Sequence, residues 1–283
     1  MILPNIIDKW KIITKTITFK GQLSIKQKIQ LSNMPLLINE KIRIEDDNII
    51  VKNKHKGLLF LAYDGLTPVI LKFEEYSDDL ISIYTIMSDI NAPIIPPGSD
   101  NIFWTPSYII TTYNIANGTA RRCSINNCYW KMLLNDILYQ LKHIHRAGLV
   151  HMDIKCTNIL EYSGYRFSLC DFELAEIVGI KLRENSEIQQ YNSYIGHGKV
   201  ASFKGDLMSL FITIMNLINK DISYLDTMYT AELQDMDEIR KIFITNFLLV
   251  VKSPILDNLY NIIKSMSYTD KTFHEEFYKQ YEF

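Results

Sequence analysis

The run His151-Met152-Asp153-Ile154-Lys155-Cys156-Thr157-Asn158 and the later run Leu169-Cys170-Asp171-Phe172-Glu173 decide how this chain of 283 residues is read. The first sets an acid, a base and an amide at positions 153, 155 and 158, and the second adds an acid at 171 behind an apolar-aromatic strand. These groups suit one task, holding a metal-bound polyphosphate while a hydroxyl is deprotonated. A carboxylate takes or orients the proton, an ammonium stabilises charge on the moving group, and carboxylate and amide oxygens hold the metal.

Outward from these runs the pattern stays regular. Trp130, Leu133, Leu134, Ile137, Leu138, Leu141 and Ile144 recur at helical spacing between Asn127 and Arg146. Ala147-Gly148 stops the pattern, and Lys142, His143, His145 and Arg146 fill the last turns, so a helix is predicted that delivers the chain to Leu149-Val150-His151. After Asn158, Ile159 to Tyr162, a turn at Ser163-Gly164 and Tyr165 to Leu169 predict a hairpin that presents Asp171. Leu207 to Ile218, Ile242 to Val251 and Leu256 to Met266 read as further buried helices.

His-x-Asp-x-Lys-x-x-Asn followed by Asp-Phe-x resembles the catalytic loop and metal-binding turn of the eukaryotic protein kinase family. The resemblance implies an α+β, bilobal fold with a small β-rich N-lobe and a mainly helical C-lobe. It also implies ATP and Mg2+ as cofactors and a protein as substrate or regulatory partner. Asp153 is then the residue that accepts or orients the substrate proton, Lys155 stabilises the transferring phosphoryl group, and Asn158 and Asp171 are the metal ligands. Lys155, two residues after Asp153, suggests a Ser/Thr preference. His151 is expected to hold loop backbone. Asp206, in Lys204-Gly205-Asp206-Leu207, resembles the aspartate that braces this loop, and it also reads as a helix N-cap. Two positions depart from the family pattern: Met152 stands where an arginine often reads activation-loop phosphorylation, and Glu173, read as a surface substitution, replaces a glycine. No Ala-Pro-Glu occurs between Asp171 and Asp206.

Upstream, Ile49-Ile50-Val51, Leu58 to Tyr63 and Pro68 to Phe73 flank a Gly-containing segment and an Asp64-Gly65 turn, which predicts a three-strand meander. Ile102-Phe103-Trp104 and Ser107 to Tyr113 add two strands. Set on the family's glycine loop, Gly57 matches the third glycine, while Lys52 and Lys54 stand at the first two, where glycine lets backbone approach phosphate. Lys52, Lys54 and Gly57 are the nucleotide-covering candidates, with a solvated basic hairpin as the alternative reading of the lysines. Val69-Ile70-Leu71-Lys72 resembles the strand whose lysine contacts the α- and β-phosphates, making Lys72 the candidate. A helix follows from about Ser77 to Ile90. The glutamate that the family places there to pair the lysine falls near Ser82, with Asp79 and Glu75 the nearest acids considered, so the partner is missing or displaced.

The domain reading is an N-terminal extension over 1-45, packed on or part of the N-lobe and containing the candidate strands Trp10 to Ile13 and Ile17 to Phe19, an N-lobe over 46-113 and a C-lobe over 114-283. The polar run Asn114 to Cys123 is the expected hinge. Hydrophobic residues make up 47%, charged residues 22%, and the formal charge is -2, a balance with no bias toward nucleic acid or membrane. No secretory pattern opens the sequence and no apolar run reaches the roughly 20 residues of a membrane span, so an intracellular, cytoplasmic setting is expected. Four cysteines show neither zinc spacing nor a disulfide framework. Cys170 reads as a buried small hydrophobe and Cys156 as a loop thiol near the site. The abundance of Ile, Asn, Lys and Tyr resembles kinase-like proteins of large DNA viruses with AT-rich genomes. Two functions compete: an ATP-dependent Ser/Thr protein kinase, favoured because Lys72, Asp153, Lys155, Asn158 and Asp171 occur together, and a pseudokinase that works as a protein-binding module, favoured by Lys52, Lys54, Glu173 and the absent helix glutamate. A small-molecule kinase of related fold is a third reading.

Overall fold

The computed structural model describes residues 17–20, 43–45, 52–54, 57–64, 67–89, 102–104, 108–114, 116–181, 200–218 and 236–280. The chain divides into two compact units, Met1–Ile115 and Ala116–Phe283.

The first unit is built on a sheet in the order β2-β1-β4-β5-β7-β6, with β3 also paired to β4. Its strands are β1 Ile17–Lys20, β2 Arg43–Glu45, β3 Lys52–Lys54, β4 Gly57–Asp64, β5 Thr67–Glu75, β6 Ile102–Trp104 and β7 Tyr108–Asn114. All neighbours are antiparallel except β1 and β2. This sheet is larger than the five strands expected, because β1 and β2 from the first 45 residues join it at β4. Strand β3 covers Lys52–Lys54; the expected strand at Ile49 to Val51 and the candidate strand at Trp10 to Ile13 lie outside the described residues. Pairing of Asp64 with Thr67 fixes the β4/β5 register.

Helix α1, Asp78–Asp89, follows β5. Ser77 starts it: its Oγ accepts the Leu80 N–H at 3.4 Å, and Asp78 and Asp79 place negative charge on the positive end of the helix dipole. Leu80, Ile81, Ile83 and Tyr84 form its buried face.

The second unit is mainly helical. Its elements are β8 Gly118–Thr119, α2 Tyr129–Arg146, β9 Leu149–Val150, a 3-10 turn Cys156–Asn158, β10 Ile159–Tyr162, β11 Arg166–Leu169, β12 Glu176–Ile177, α3 Phe203–Ile218, α4 Met236–Val251, α5 Pro254–Ser265 and α6 Glu275–Lys279. Helix α2 buries Trp130, Leu133, Leu134, Ile137, Leu138, Leu141 and Ile144, the stripe its spacing predicts. Truncating one of these leucines to Ala would cost about 2–5 kcal/mol. Gly148, at φ 77, follows the helix in the left-handed conformation that lets the chain turn back toward β9.

Helix α3 is buried on nearly every side, which marks it as the central post of this unit. Its polar side chains are satisfied: Ser209 Oγ donates to Gly205 O at 2.9 Å and Thr213 Oγ1 to Ser209 O at 2.8 Å. Its N-cap is Ser202, whose Oγ accepts the Gly205 N–H at 3.1 Å. The N-cap role expected of Asp206 is therefore corrected: Asp206 sits inside the first turn, and its side chain goes elsewhere. Strands β11, β10 and β8 form a three-stranded sheet, and β12 pairs with β9. No helix among the described residues is long and apolar enough to cross a membrane.

Candidate functional site

In the first unit, Lys52, Lys54, Gly57 and Lys72 fall on three adjacent strands. The register sets Lys54 against Gly57, Lys52 against Leu59, and Leu59 against Lys72. Lys72 Nζ pairs with Glu74 Oε1 at 2.8 Å, with side-chain exposures of 12% and 2%. The geometry follows from the strand: residues two apart project from the same face. Glu74 Oε2 accepts the Tyr84 hydroxyl of α1 at 2.8 Å. The family's ion pair between strand lysine and helix glutamate thus has a local substitute: the carboxylate is on the strand, and the helix contributes a phenol. Ser82, at the position expected for the helix acid, is exposed and bonds to Asp78 O of its own helix, while Glu75 is exposed. The family pattern points to the helix and leaves Glu74 unmarked, although the strand period of two places it on the face of Lys72.

In the second unit, the catalytic-loop candidates converge on one carboxylate. Asp153 is 5% exposed, and its Oδ2 accepts from Lys155 Nζ at 2.7 Å and from Asn158 Nδ2 at 2.8 Å. Asn158 Nδ2 also donates to the Asp153 backbone carbonyl at 3.0 Å. The nitrogen end of the amide is therefore committed to Asp153, which turns Oδ1 to the other side as an acceptor. Asp171 follows β11 at φ 70, half-buried. An amide oxygen and a carboxylate are donors suited to a hard cation such as magnesium.

His151 ties the two runs together. Fully buried, it accepts the Asp153 N–H at Nδ1, 3.2 Å away, and its Nε2 lies 3.1 Å from Cys170 O. One nitrogen accepts and the other must donate, which fixes the Nε2–H tautomer. Burial holds the pKa of this imidazole below 6.5 despite the opposing pull of Asp206, Asp153 and Asp171. Its ring packs on Phe172, centroids 4.6 Å apart, and Cys170 N donates to Asn158 O at 2.9 Å. The strand that carries Asp171 is anchored from behind by Gln140 of α2, which donates to Phe167 O at 2.6 Å and accepts from Leu169 N at 2.8 Å.

Helix α3 braces the loop. Asp206, 2% exposed, accepts the His151 N–H on Oδ2 at 2.7 Å and the Met152 N–H on Oδ1 at 2.9 Å. Thr213 Oγ1 reaches Ile154 O at 3.3 Å. Met152 takes φ 68, a conformation costly for a residue with a side chain and held here by those bonds. It is buried, in a cluster with Val150, Ala201 and Phe203. Two expectations need revision. Cys170 is half-buried rather than buried, and Glu173 is half-buried rather than a surface residue. Cys156 is also half-buried, and burial pushes its thiol up to about 11.

A loop with these groups, fixed to a central helix, has the arrangement that the protein kinase motif describes. Residues 81–273 match the protein kinase domain family, and the chain belongs to that family. Among curated proteins it is 29% identical over 153 residues to the mitogen-activated protein kinase HOG1 of Ustilaginoidea virens, covering 52% of this chain and 36% of that protein. It is 34% identical over 83 residues to the serine/threonine-protein kinase cds1 of Schizosaccharomyces pombe, covering 28% and 17%. The chain thus spans about a third or less of the length of these relatives. Among solved structures it resembles the kinase PK-1 of the Cydia pomonella granulovirus, with a TM-score of 0.52, 15% identity, and coverage of 67% of this chain and 76% of that one. At that identity the likeness is one of fold.

Proposed function

We propose that this chain is an ATP- and magnesium-dependent kinase that passes the γ-phosphate to a Ser or Thr hydroxyl of a protein, working inside the cell, with residues 46–113 and 114–283 as its two lobes. The observation that carries the reading is the arrangement around Asp153. Lys155 and Asn158 both hold Oδ2, which leaves Oδ1 as the oxygen to orient the substrate hydroxyl and take its proton. Lys155, its ammonium already beside that carboxylate, adds positive charge where the phosphoryl group moves. Asn158 Oδ1 and Asp171 are the groups to hold magnesium, which when bound neutralises charge on the phosphate oxygens. Lys72 is assigned to the α- and β-phosphates, and the backbone at Gly57, with Lys52 and Lys54, to the nucleotide-covering strand pair. Loss of a loop glycine weakens such an enzyme, whereas loss of the base or a metal ligand removes a part on which the chemistry rests.

The second reading, a kinase-like module acting through a protein partner, is favoured by Lys52 and Lys54 at the glycine positions and by α1 bringing a phenol rather than a carboxylate to the Lys72 pair. Transfer from labelled ATP to the chain itself and to generic protein substrates separates the two. Wild type is expected to label substrate, Asp153→Ala to lose at least a hundredfold of that rate, and magnesium-ATP to raise the melting temperature of both. Equal labelling by wild type and Asp153→Ala, with no thermal shift, would sink the enzyme reading.

A further inference from the structure

The segment after α5, from Met266 to Lys279, reaches the catalytic loop by two routes and the segment after Asp171 by a third. The first is a chain of hydrogen bonds. The Tyr278 hydroxyl bonds to Nδ1 of His145, His145 Nε2 lies 3.0 Å from Asp206 Oδ2, and Asp206 holds the amides of His151 and Met152. Tyr278, His145 and Asp206 are each almost fully buried. Burial raises the Tyr278 pKa well above 10, so the phenol keeps its proton. With His145 as its Nε2–H tautomer, the phenol donates to Nδ1 and Nε2–H donates to the carboxylate, which also accepts the two loop amides.

The second route is apolar. Met152 and its partners Val150, Ala201 and Phe203 are covered by Leu174 and Val178, which follow Asp171, and by Met266 and Phe273. The third is a close approach. At Gly179, φ +86, a Cβ would overlap the Lys271 side chain, so the lysine stem lies directly over the backbone of the segment that follows Asp171. The segment itself is pinned at several points. Lys204 Nζ donates to Met266 O at 2.7 Å and lies 4.5 Å from the Tyr268 ring, while Arg146 pairs with Glu275 at 2.7 Å and lies 5.5 Å from the Phe273 ring.

We propose that Met266–Lys279 is a built-in positioning element of the catalytic loop, with Tyr278 as its positioning residue. It fixes the loop and the start of the segment after Asp171 by packing and a hydrogen-bond relay, a task that an arginine paired with a phosphorylated residue performs in switched kinases. The inference rests on the catalytic reading of Asp153, and its structural half can be tested without turnover.

The test uses the full chain and the isosteric Tyr278→Phe. Expected are a three- to tenfold fall in kcat with the KM for ATP and for a peptide substrate within twofold of wild type. The 15N shift of His145 Nδ1 should show loss of its donor, and amide exchange at His151 and Met152 should quicken. Phosphatase-treated wild type is expected to keep its kcat. Should Tyr278→Phe fail to fold, Phe273→Leu, which thins the apolar cover while leaving the relay, is expected to quicken exchange at Met152. Unchanged exchange at both amides in the variant that folds would overturn the proposal. So would loss of activity on dephosphorylation, because a phosphate rather than this segment would then position the loop. A wild type inactive in transfer that still shows the exchange effect would refute the enzyme reading and leave the positioning role standing.

Discussion

Replacing Glu74 by Gln keeps the shape of the side chain and removes its charge, which makes it the sharpest probe of how Lys72 is held. Glu74 is 2% exposed and bridges Lys72 Nζ and the Tyr84 hydroxyl, each at 2.8 Å. A hydrogen bond to a charged group contributes about 1.5–3 kcal/mol, and breaking a buried pair by removing one charge costs about 3–5 kcal/mol. Lys72 is 12% exposed and relaxes partly toward water, so the lower range applies and a loss of about 2 kcal/mol in folding stability is expected. If that energy orients the Lys72 ammonium, the KM for ATP should rise roughly thirtyfold, since each tenfold corresponds to about 1.4 kcal/mol. Tyr84→Phe removes the second donor and should cost about 1 kcal/mol. The double variant should depart from additivity by more than about 0.5 kcal/mol, because Lys72 and Tyr84 share one carboxylate. The assays are guanidinium unfolding and initial rates against ATP concentration. Unfolding midpoints and KM values for Glu74→Gln within error of wild type would refute the reasoning, and the bridge would be a contact without energetic weight.

Two further outcomes follow from titrating groups. His151 is neutral in the fold with its pKa held below 6.5, so between that depressed value and 6.5 the unfolded chain binds the extra proton. Its contribution is fully present above pH 6.5 and is lost as pH falls toward the folded-state value, with a slope approaching about 1.4 kcal/mol per pH unit. Urea midpoints measured from pH 7.5 to 5.0, with NMR of the imidazole to confirm that it stays neutral in the native state, check this; a His151 ring that titrates near 6.5 in the folded protein contradicts it. Cys156, pushed up to about 11, is only about one-thousandth thiolate at pH 8. Iodoacetamide should therefore modify the exposed Cys128 well before Cys156, as peptide mass mapping would show, and early labelling at Cys156 would count against its burial.

The legible parts of this fold were the local ones. Asp153, Lys155 and Asn158 lie within six consecutive residues, so their chemistry can be read without knowing what packs around them, and they meet at one carboxylate oxygen. The stripe of α2 was equally readable because burial repeats with the helical period. Strand β2 carried no such signal, since three residues are too short to show alternation and its parallel partner is distant in sequence. Glu74 lies one strand period from Lys72, but the family pattern sets the partner on the helix and so gives this position no mark. Asp206 was placed through its family motif, yet its bonds to residues 151 and 152 depend on how α3 is packed. Tyr278 had no local mark of its role, because its partner His145 lies 133 residues earlier.

The brace from α3 also bears on when this protein becomes competent during its own synthesis. The bonds that hold the loop backbone span 54, 55 and 59 residues, from Asp206 to Met152 and His151 and from Thr213 to Ile154. Closing such spans carries an entropy cost that only packing of the later helix offsets. A nascent chain that has emerged only as far as Asn158 holds all three loop groups and none of their anchors. At about 5–20 residues per second, several seconds pass before α3 arrives, and through that interval the loop is ordinary unstructured chain.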